Sequence, residues 1–261
     1  MIRPSVSGLS WGVDGAVATV TIDRPEKLNA LTPEMLEGLE AILDEVEGDA
    51  AIRVVVVTGA GDRAFCAGAD INAWAALAPI DMWRRWGRLG HRVFDRLAAL
   101  RQPTIAALNG IAYGGGLELA LACDLRIAAD TVKVAAPEVG IATIPGWGMT
   151  TRLAEVAGPA RAKQMILSGQ PVEARRAEAW GVLSEVVAAA ELQEAVRWTA
   201  ERIAAQAPVA VQVAKQLIDG VRPRVPASLE MLGSGLTAFT GDANEGLVSF
   251  RERREARFEG S

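Results

Sequence analysis

The sequence predicts an α/β fold, and three features in order carry that reading: an alternating segment, a helix with a clear start signal, and an unbroken β-branched run. Ala16 to Ile22 reads A-V-A-T-V-T-I, the period of a half-exposed strand. Thr32 is a good N-cap and Pro33 suits the first helical turn, after which Met35, Leu36, Leu39, Ile42, Leu43 and Val46 recur on one face. Val54 to Val57 then reads as a strand buried on both faces. Strand, helix, strand is the βαβ signature. Pro103 precedes a further apolar strand candidate, Thr104 to Leu108. Leu125 to Ala128 and Val132 to Ala135 add short strands near a helix that begins around Gly115. After Gly148 the pattern is mostly helical, with Pro159, Pro171 and Pro208 near helix starts and Gly158, Gly169, Gly181 and Gly220 near helix ends. The second half therefore reads as helices on a sheet. No internal sequence period stands out, and a spiral of repeated strand and helix units stays open as a reading.

A chain of 261 residues without a proline-rich, serine-rich or charge-block linker is expected to form one main core with a helical extension. Its residues are 50% hydrophobic and 23% charged, enough to bury a sizeable core and too apolar for disorder. A net charge of −5 and a pI near 5.2 argue against non-specific binding to nucleic acid or to an anionic membrane, both of which need a positive field. The basic cluster from Arg251 to Arg257 is interleaved with Glu252 and Glu255. Cys66 and Cys123 lie far apart behind no charged-then-apolar leader, so a reducing cytoplasm is expected rather than a secreted disulfide scaffold. The apolar stretches end well before the ~18 residues of a membrane span.

Three segments carry candidate chemistry. Ala64 to Ile71, A-F-C-A-G-A-D-I, follows a buried strand, so its glycine lies where the chain must turn and expose backbone N–H groups, and Asp70 is placed to cap the next helix. Taken alone, this is more often a plain strand-to-helix turn. Asn109 to Glu118 reads N-G-I-A-Y-G-G-G-L-E, in which three glycines open a helix and leave unpaired donors and a positive dipole end for an anion. A loose loop or a close helix-packing site would use the same glycines. Glu118, three residues after Gly115, falls on the same helix face about one turn away and couples that anion site to a base. Pro137 and Glu138 precede V-G-I-A-T-I-P-G-W-G, an extended loop punctuated by Gly140, Gly146 and Gly148, so Glu138 is a second candidate carboxylate, although an isolated Pro-Glu is more often solvated surface.

Other chemistries find less support. His91 is the sole histidine, so a Ser/His nucleophile or a multi-histidine metal site would have to pass through it, and no metal site is expected. Trp74, Trp83 and Trp86 with Arg84 and Arg85 form either an aromatic-basic ligand surface or ordinary packing. No phosphate-loop motif is present, and G-Y-G-G-G lacks the spacing and the later acidic residue of a dinucleotide fingerprint, which excludes nucleoside triphosphates and nicotinamide cofactors.

Together, A-F-C-A-G-A-D-I, N-G-I-A-Y-G-G-G-L-E-L-A-L-A-C-D and A-P-E-V-G-I-A-T-I-P-G resemble the enoyl-CoA hydratase/isomerase family, the crotonases. The resemblance runs from D-R-P-E-K-L-N-A-L, residues 23 to 31, to G-D-A-N-E-G-L-V-S-F-R-E-R-R-E-A-R-F near the C-terminus. It implies a crotonase-like spiral of β-β-α units over residues 1–200, holding CoA and the active site. It also implies a helical trimerisation region over 201–261, and assembly as a homotrimer or homohexamer. The implied substrate is an acyl-CoA thioester, with CoA carried by the substrate and no other cofactor. By the same resemblance, Ala69 and Gly115 supply oxyanion-hole N–H groups, and Glu118 and Glu138 are the two catalytic glutamates of the hydratase members. Lys27, Leu28, Ala30, Ala67, Asp70 and Ile71 line the CoA adenine and pantetheine, Arg253 reaches a CoA phosphate, and Gly146 helps hold the water. Where family members commonly read I-P-G-x-G-G-T, this chain has Ile144-Pro-Gly-Trp-Gly-Met-Thr150, so Trp147 and Met149 add bulk that narrows the acyl pocket or reshapes the water site. The expected reaction is hydration of the enoyl double bond, with two donors stabilising the enolate and two carboxyl groups moving the protons. Which glutamate holds the resting proton is open at this level, because a close pair titrates jointly. The alternatives are double-bond isomerisation, another crotonase-type acyl-CoA reaction, and a non-catalytic adaptor.

Overall fold

The computed structural model describes residues 6–220, 231, 235, 238–254 and 256. Glu255 and Arg257 of the mixed-charge cluster, and residues 221–230 of the C-terminal region, lie outside the described residues. Ten strands occur among the described residues: β1 (Leu9–Asp14), β2 (Val17–Ile22), β3 (Val54–Gly59), β4 (Ala64–Cys66), β5 (Thr104–Leu108), β6 (Ile111–Tyr113), β7 (Leu125–Ala129), β8 (Lys133–Ala135), β9 (Val172–Glu173) and β10 (Glu185–Val187). One sheet has the order β1-β2-β3-β5-β7-β10 and the other β4-β6-β8-β9.

The alternation and the β-branched run pair as their pattern implies. β2 lies parallel to β3, with Val17 opposite Val54 and Ile22 opposite Gly59, and the helix Pro33–Gly48 makes the crossover. Thr32 Oγ1 accepts a bond from Met35 N at 3.3 Å, and the six apolar residues named above on that helix are all buried. β5 is buried along its whole length, as befits a strand in a parallel sheet covered on both faces. Five strands, β1, β4, β6, β9 and β10, go beyond those the pattern announces. β1 pairs antiparallel with β2, and Leu9 and Trp11 are buried on alternate positions, but Gly12 interrupts the branched and aromatic side chains by which a strand is recognised.

The two sheets are threaded alternately, and this is the spiral. β3, β5 and β7 run parallel in the larger sheet, and each is followed by a short partner, β4, β6 or β8, running parallel in the smaller one. The three passes start at residues 54, 104 and 125, unequal steps that leave no sequence period to detect. After β4 comes the helix Ile71–Ala75 and then a helical run to Ala98 whose Met82–Gly87 portion is a π-helix. After β6 comes the helix Gly115–Ala122, and after β8 the 3-10 turn Glu138–Ile141 and the helix Met149–Ala157. β9 and β10 fall in the half expected to be mostly helical, and at two and three residues they are too short to show a period.

The helix Leu192–Ala204 packs on β3, β5 and β7 and crosses the residue-200 boundary expected between core and extension. Lys215, from the helix Pro208–Gly220, donates to Asp124 Oδ2 at 2.7 Å and to the Gln102 carbonyl at 3.2 Å, tying that helix to the start of β5.

Candidate active site

The loop after β4 exposes one backbone donor for a reason visible in its neighbours. Leu31 N donates to the Gly68 carbonyl at 2.8 Å, and Asp70 N donates to the Leu31 carbonyl at 2.8 Å. This parallel bridge brackets Ala69, so the Ala69 N–H turns the other way, toward the start of the helix Gly115–Ala122. Gly68 makes the turn at φ +106°, where a Cβ would stand 2.9 Å from the Tyr113 carbonyl and 3.2 Å from Gly115 N. Asp70 caps the next helix by accepting from Asn72 N at 3.0 Å, and its carboxylate pairs with Arg24 at 3.1 Å. Burial alone would raise the Asp70 pKa, but the Arg24 guanidinium and the backbone donors of Asn72 and Ala73 hold it below the usual carboxylate range.

The three glycines that open the next helix serve three different needs. Gly114 sits at φ +52°, ψ −126°, a conformation that L side chains avoid. A Cβ on Gly116 would lie 2.0 Å from the Cys66 carbonyl, so glycine is what lets this helix close on β4. A Cβ on Gly115 would lie 2.6 Å from Trp147 Cζ3 and 3.4 Å from Ala69 N, which places the Gly115 backbone beside the other donor and under the indole.

Glu118 is buried one turn into that helix and is held by two amides: Oε1 accepts from Trp147 N at 2.7 Å and from Met149 N at 3.2 Å. Backbone donors at a helix start favour the charged form of a carboxyl group. Glu138 lies opposite in environment. Both its carboxyl oxygens are buried with no hydrogen-bond partner among the described residues. Burial, reinforced by the charge of Glu118, pushes its pKa up to about 8. The two carboxyl groups thus stand in unequal environments, Glu118 bonded by two amides and Glu138 buried without a bonded partner among the described residues.

A largely apolar cavity of about 540 Å³ joins these groups. It is lined by Leu28, Ala67, Ala69, Ile71, Gly115, Glu118, Glu138, Gly146 and Trp147 of the expected residues. Four expected CoA contacts fall outside its lining. Lys27 is exposed at the end of a 3-10 turn, Ala30 gives its carbonyl to Arg24 at 2.8 Å, Asp70 is engaged with Arg24, and Arg253 is exposed at the C-cap of the helix Gly241–Glu252. Trp74, Met82, Trp86, Tyr113, Ile141 and Phe250 are among the other wall residues, which the sequence does not mark as lining a pocket. Trp74 and Trp86 belong to the tryptophan group noted in the sequence, which splits here: those two turn inward, while Arg84 and Arg85 are exposed. The π-helix shifts the register of its face and brings Met82, Trp86 and Gly87 to the cavity. The Trp147 indole packs against Trp86 and Phe94, with ring centroids at 5.1 and 5.3 Å, in a notch at Gly90. Any Cβ on Gly90 would meet Trp147 Nε1 at 2.1 Å. His91 is buried and does not line the cavity. Among the described residues no group of three His, Cys, Asp or Glu side chains is placed to hold a metal ion, and no helix is long and apolar enough to cross a membrane.

Fold and site together define a class: a two-sheet β-β-α spiral in which two carboxyl groups in unequal environments share an apolar cavity with backbone donors from a loop and a helix start. The family model for enoyl-CoA hydratase/isomerase matches residues 12–261. The short-chain-enoyl-CoA hydratase of Clostridium acetobutylicum is 39% identical over 93% of this chain and 94% of its own. The crotonyl-CoA hydratase of Syntrophomonas wolfei is 38% identical over the same shares. Among solved structures, an enoyl-CoA hydratase from Mycobacterium avium subsp. paratuberculosis superposes with a TM-score of 0.88 at 29% identity, covering 97% of this chain and 99% of that one. This chain belongs to the enoyl-CoA hydratase/isomerase family.

Proposed function

We propose that this chain adds water across the α,β double bond of enoyl-CoA thioesters to give 3-hydroxyacyl-CoA. The observation that carries the reading is the unequal pair: Glu118 bonded by two amides, and Glu138 buried with its pKa raised. Glu118 takes a proton from water as its oxygen bonds to the β-carbon. Electron density moves through the former double bond to the thioester oxygen, where the N–H groups of Ala69 and Gly115 meet it. Glu138 gives its proton to the α-carbon, and a proton passing from Glu118 to Glu138 restores the starting state. In labelled water, solvent oxygen is expected on the β-carbon of the product from crotonyl-CoA. A product with a moved double bond and no label would instead mark an isomerase.

The acid role of Glu138 has a signed pH dependence. Its proton is present below about 8, so kcat/KM is expected to fall as pH rises through that value. Its pKa is higher in the fold than in the unfolded chain, so the native state binds the extra proton. The stability this contributes is present below 4.5 and is lost as pH rises to about 8. Urea unfolding across that window is expected to show a smaller decline for Glu138→Gln than for the native chain. Equal declines would remove the assignment.

Acyl length is limited by Trp147, whose ring occupies cavity wall that a smaller residue would leave open. Short or branched enoyl groups are the expected substrates. Trp147→Ala is expected to raise kcat/KM for an eight-carbon enoyl-CoA relative to crotonyl-CoA, and an unchanged ratio would place the limit elsewhere. Assembly beyond one chain is part of the same reading. Val209, Val213 and Leu217 expose apolar area along one face of the helix Pro208–Gly220, and light scattering is expected to give a trimer or hexamer mass at micromolar concentration.

A further inference from the structure

Glu118 owes its placement to a turn, and the turn is held from outside. Gly148, at φ +111°, reverses the chain between Trp147 and Met149 so that the N–H groups of these two residues converge on one oxygen of Glu118. Glycine has the widest backbone freedom of any residue, so a turn built on it keeps its shape only if something else fixes it. Arg152, one turn into the following helix, does this. Its Nη1 donates to the Trp147 carbonyl at 2.9 Å, and its Nη2 donates to Asp95 Oδ1 at 2.5 Å on the helix Arg88–Ala98. The Arg152 side chain is 12% exposed, against 45% for Asp95, so the guanidinium is enclosed while its anchor reaches the surface. A Cβ on Gly148 would fall 2.0 Å from Arg152 Nη1, which shows how closely the guanidinium lies over that residue.

We infer that Arg152, braced by Asp95, is a positioning residue for Glu118: it fixes the 147–149 turn whose two amides orient the carboxylate. The inference rests on the reading of Glu118 as the base. Arg152 does not line the cavity, so its effect passes through the turn and not through contact with substrate. Arginine suits the place because its planar fork spans a carbonyl and a carboxylate at once, which a lysine ammonium cannot reproduce with the same geometry.

The test is a double-mutant cycle on the hydration of crotonyl-CoA. Arg152→Gln is expected to lower kcat by about 10- to 100-fold with KM changed by less than about threefold, since a base displaced by a fraction of an ångström fails in the transition state and not in binding. Arg152→Lys should recover part of the loss, and Asp95→Asn should produce a smaller loss of the same kind. In the Glu118→Gln background, Arg152→Gln should cost less than about a further twofold, because the group it positions is already gone. An equal loss in both backgrounds, a loss confined to KM, or no loss in kcat overturns the inference. If Arg152→Gln does not fold, Arg152→Lys and Asp95→Asn carry the same cycle. A native chain that catalyses no hydration would instead refute the proposed function, so the two failures are told apart.

Discussion

Glutamine at position 118 or at position 138 is expected to lower hydration of crotonyl-CoA by about 100-fold or more in each case. Glutamine keeps the size of the side chain, but it neither accepts a proton from water nor donates one as an acid. At 118 it also loses the charge that the amides of Trp147 and Met149 are arranged to bind, so the amide side chain is held less firmly as well as being inert. At 138 the exchange replaces a buried neutral acid by a buried amide, so folding is expected to survive while proton delivery to the α-carbon stops. Because both groups serve one transition state, the double variant is expected to be little worse than the poorer single one. Steady-state rates with oxygen-labelled water decide the matter. A product lacking the label and still formed after Glu138→Gln would overturn hydration in favour of isomerisation.

Gly115→Val is expected to cost about as much, for a geometric reason. The first atom of the new side chain would fall 2.6 Å from Trp147 Cζ3, inside any real contact distance, and 3.4 Å from Ala69 N. The indole cannot retreat easily, since Trp86, Phe94 and Gly90 enclose it. The added side chain is therefore expected to crowd the space beside the Ala69 donor, where the thioester oxygen is proposed to sit. Loss of one such donor typically costs about 10²- to 10³-fold in kcat. Circular dichroism should show a folded protein, and Gly115→Ala should give an intermediate rate. A folded Gly115→Val enzyme with native activity would show that the oxyanion is held elsewhere.

Much of this molecule was legible in the sequence where one residue's neighbours sufficed to determine its place. Thr32 through Val46 carries its cap and its apolar face within fifteen positions, and the structure follows it closely. The branched run from Val54 behaves likewise. Long-range placement was less legible. Glu118 and Glu138 are separated by β7 and β8, and nothing local in either segment states that these strands return the second carboxyl group to the first. The family motifs supplied that pairing. They did not supply its asymmetry, which comes from where the turn amides of Trp147 and Met149 point and from the lack of a partner for the Glu138 carboxyl oxygens among the described residues. Asn29 is a smaller case: it is fully buried in a left-handed conformation, with its side chain donating to the carbonyls of Ala60 and Ala64, yet in the sequence it is one polar residue in a loop. Arg152, in mid-helix, likewise carries no local mark of its role.

Position 147 divides its labour between backbone and side chain. The amide that holds Glu118 is common to every residue except proline, whereas the indole contributes to the cavity wall and requires the notch at Gly90. Cavity shape and the hold on Glu118 thus depend on different atoms of one residue. A lineage carrying this fold is free to exchange the tryptophan, and with it the shape of the cavity, without losing the amide that holds Glu118. The reverse path is narrower, because a side chain acquired at position 90 would evict the indole and close off the return to tryptophan.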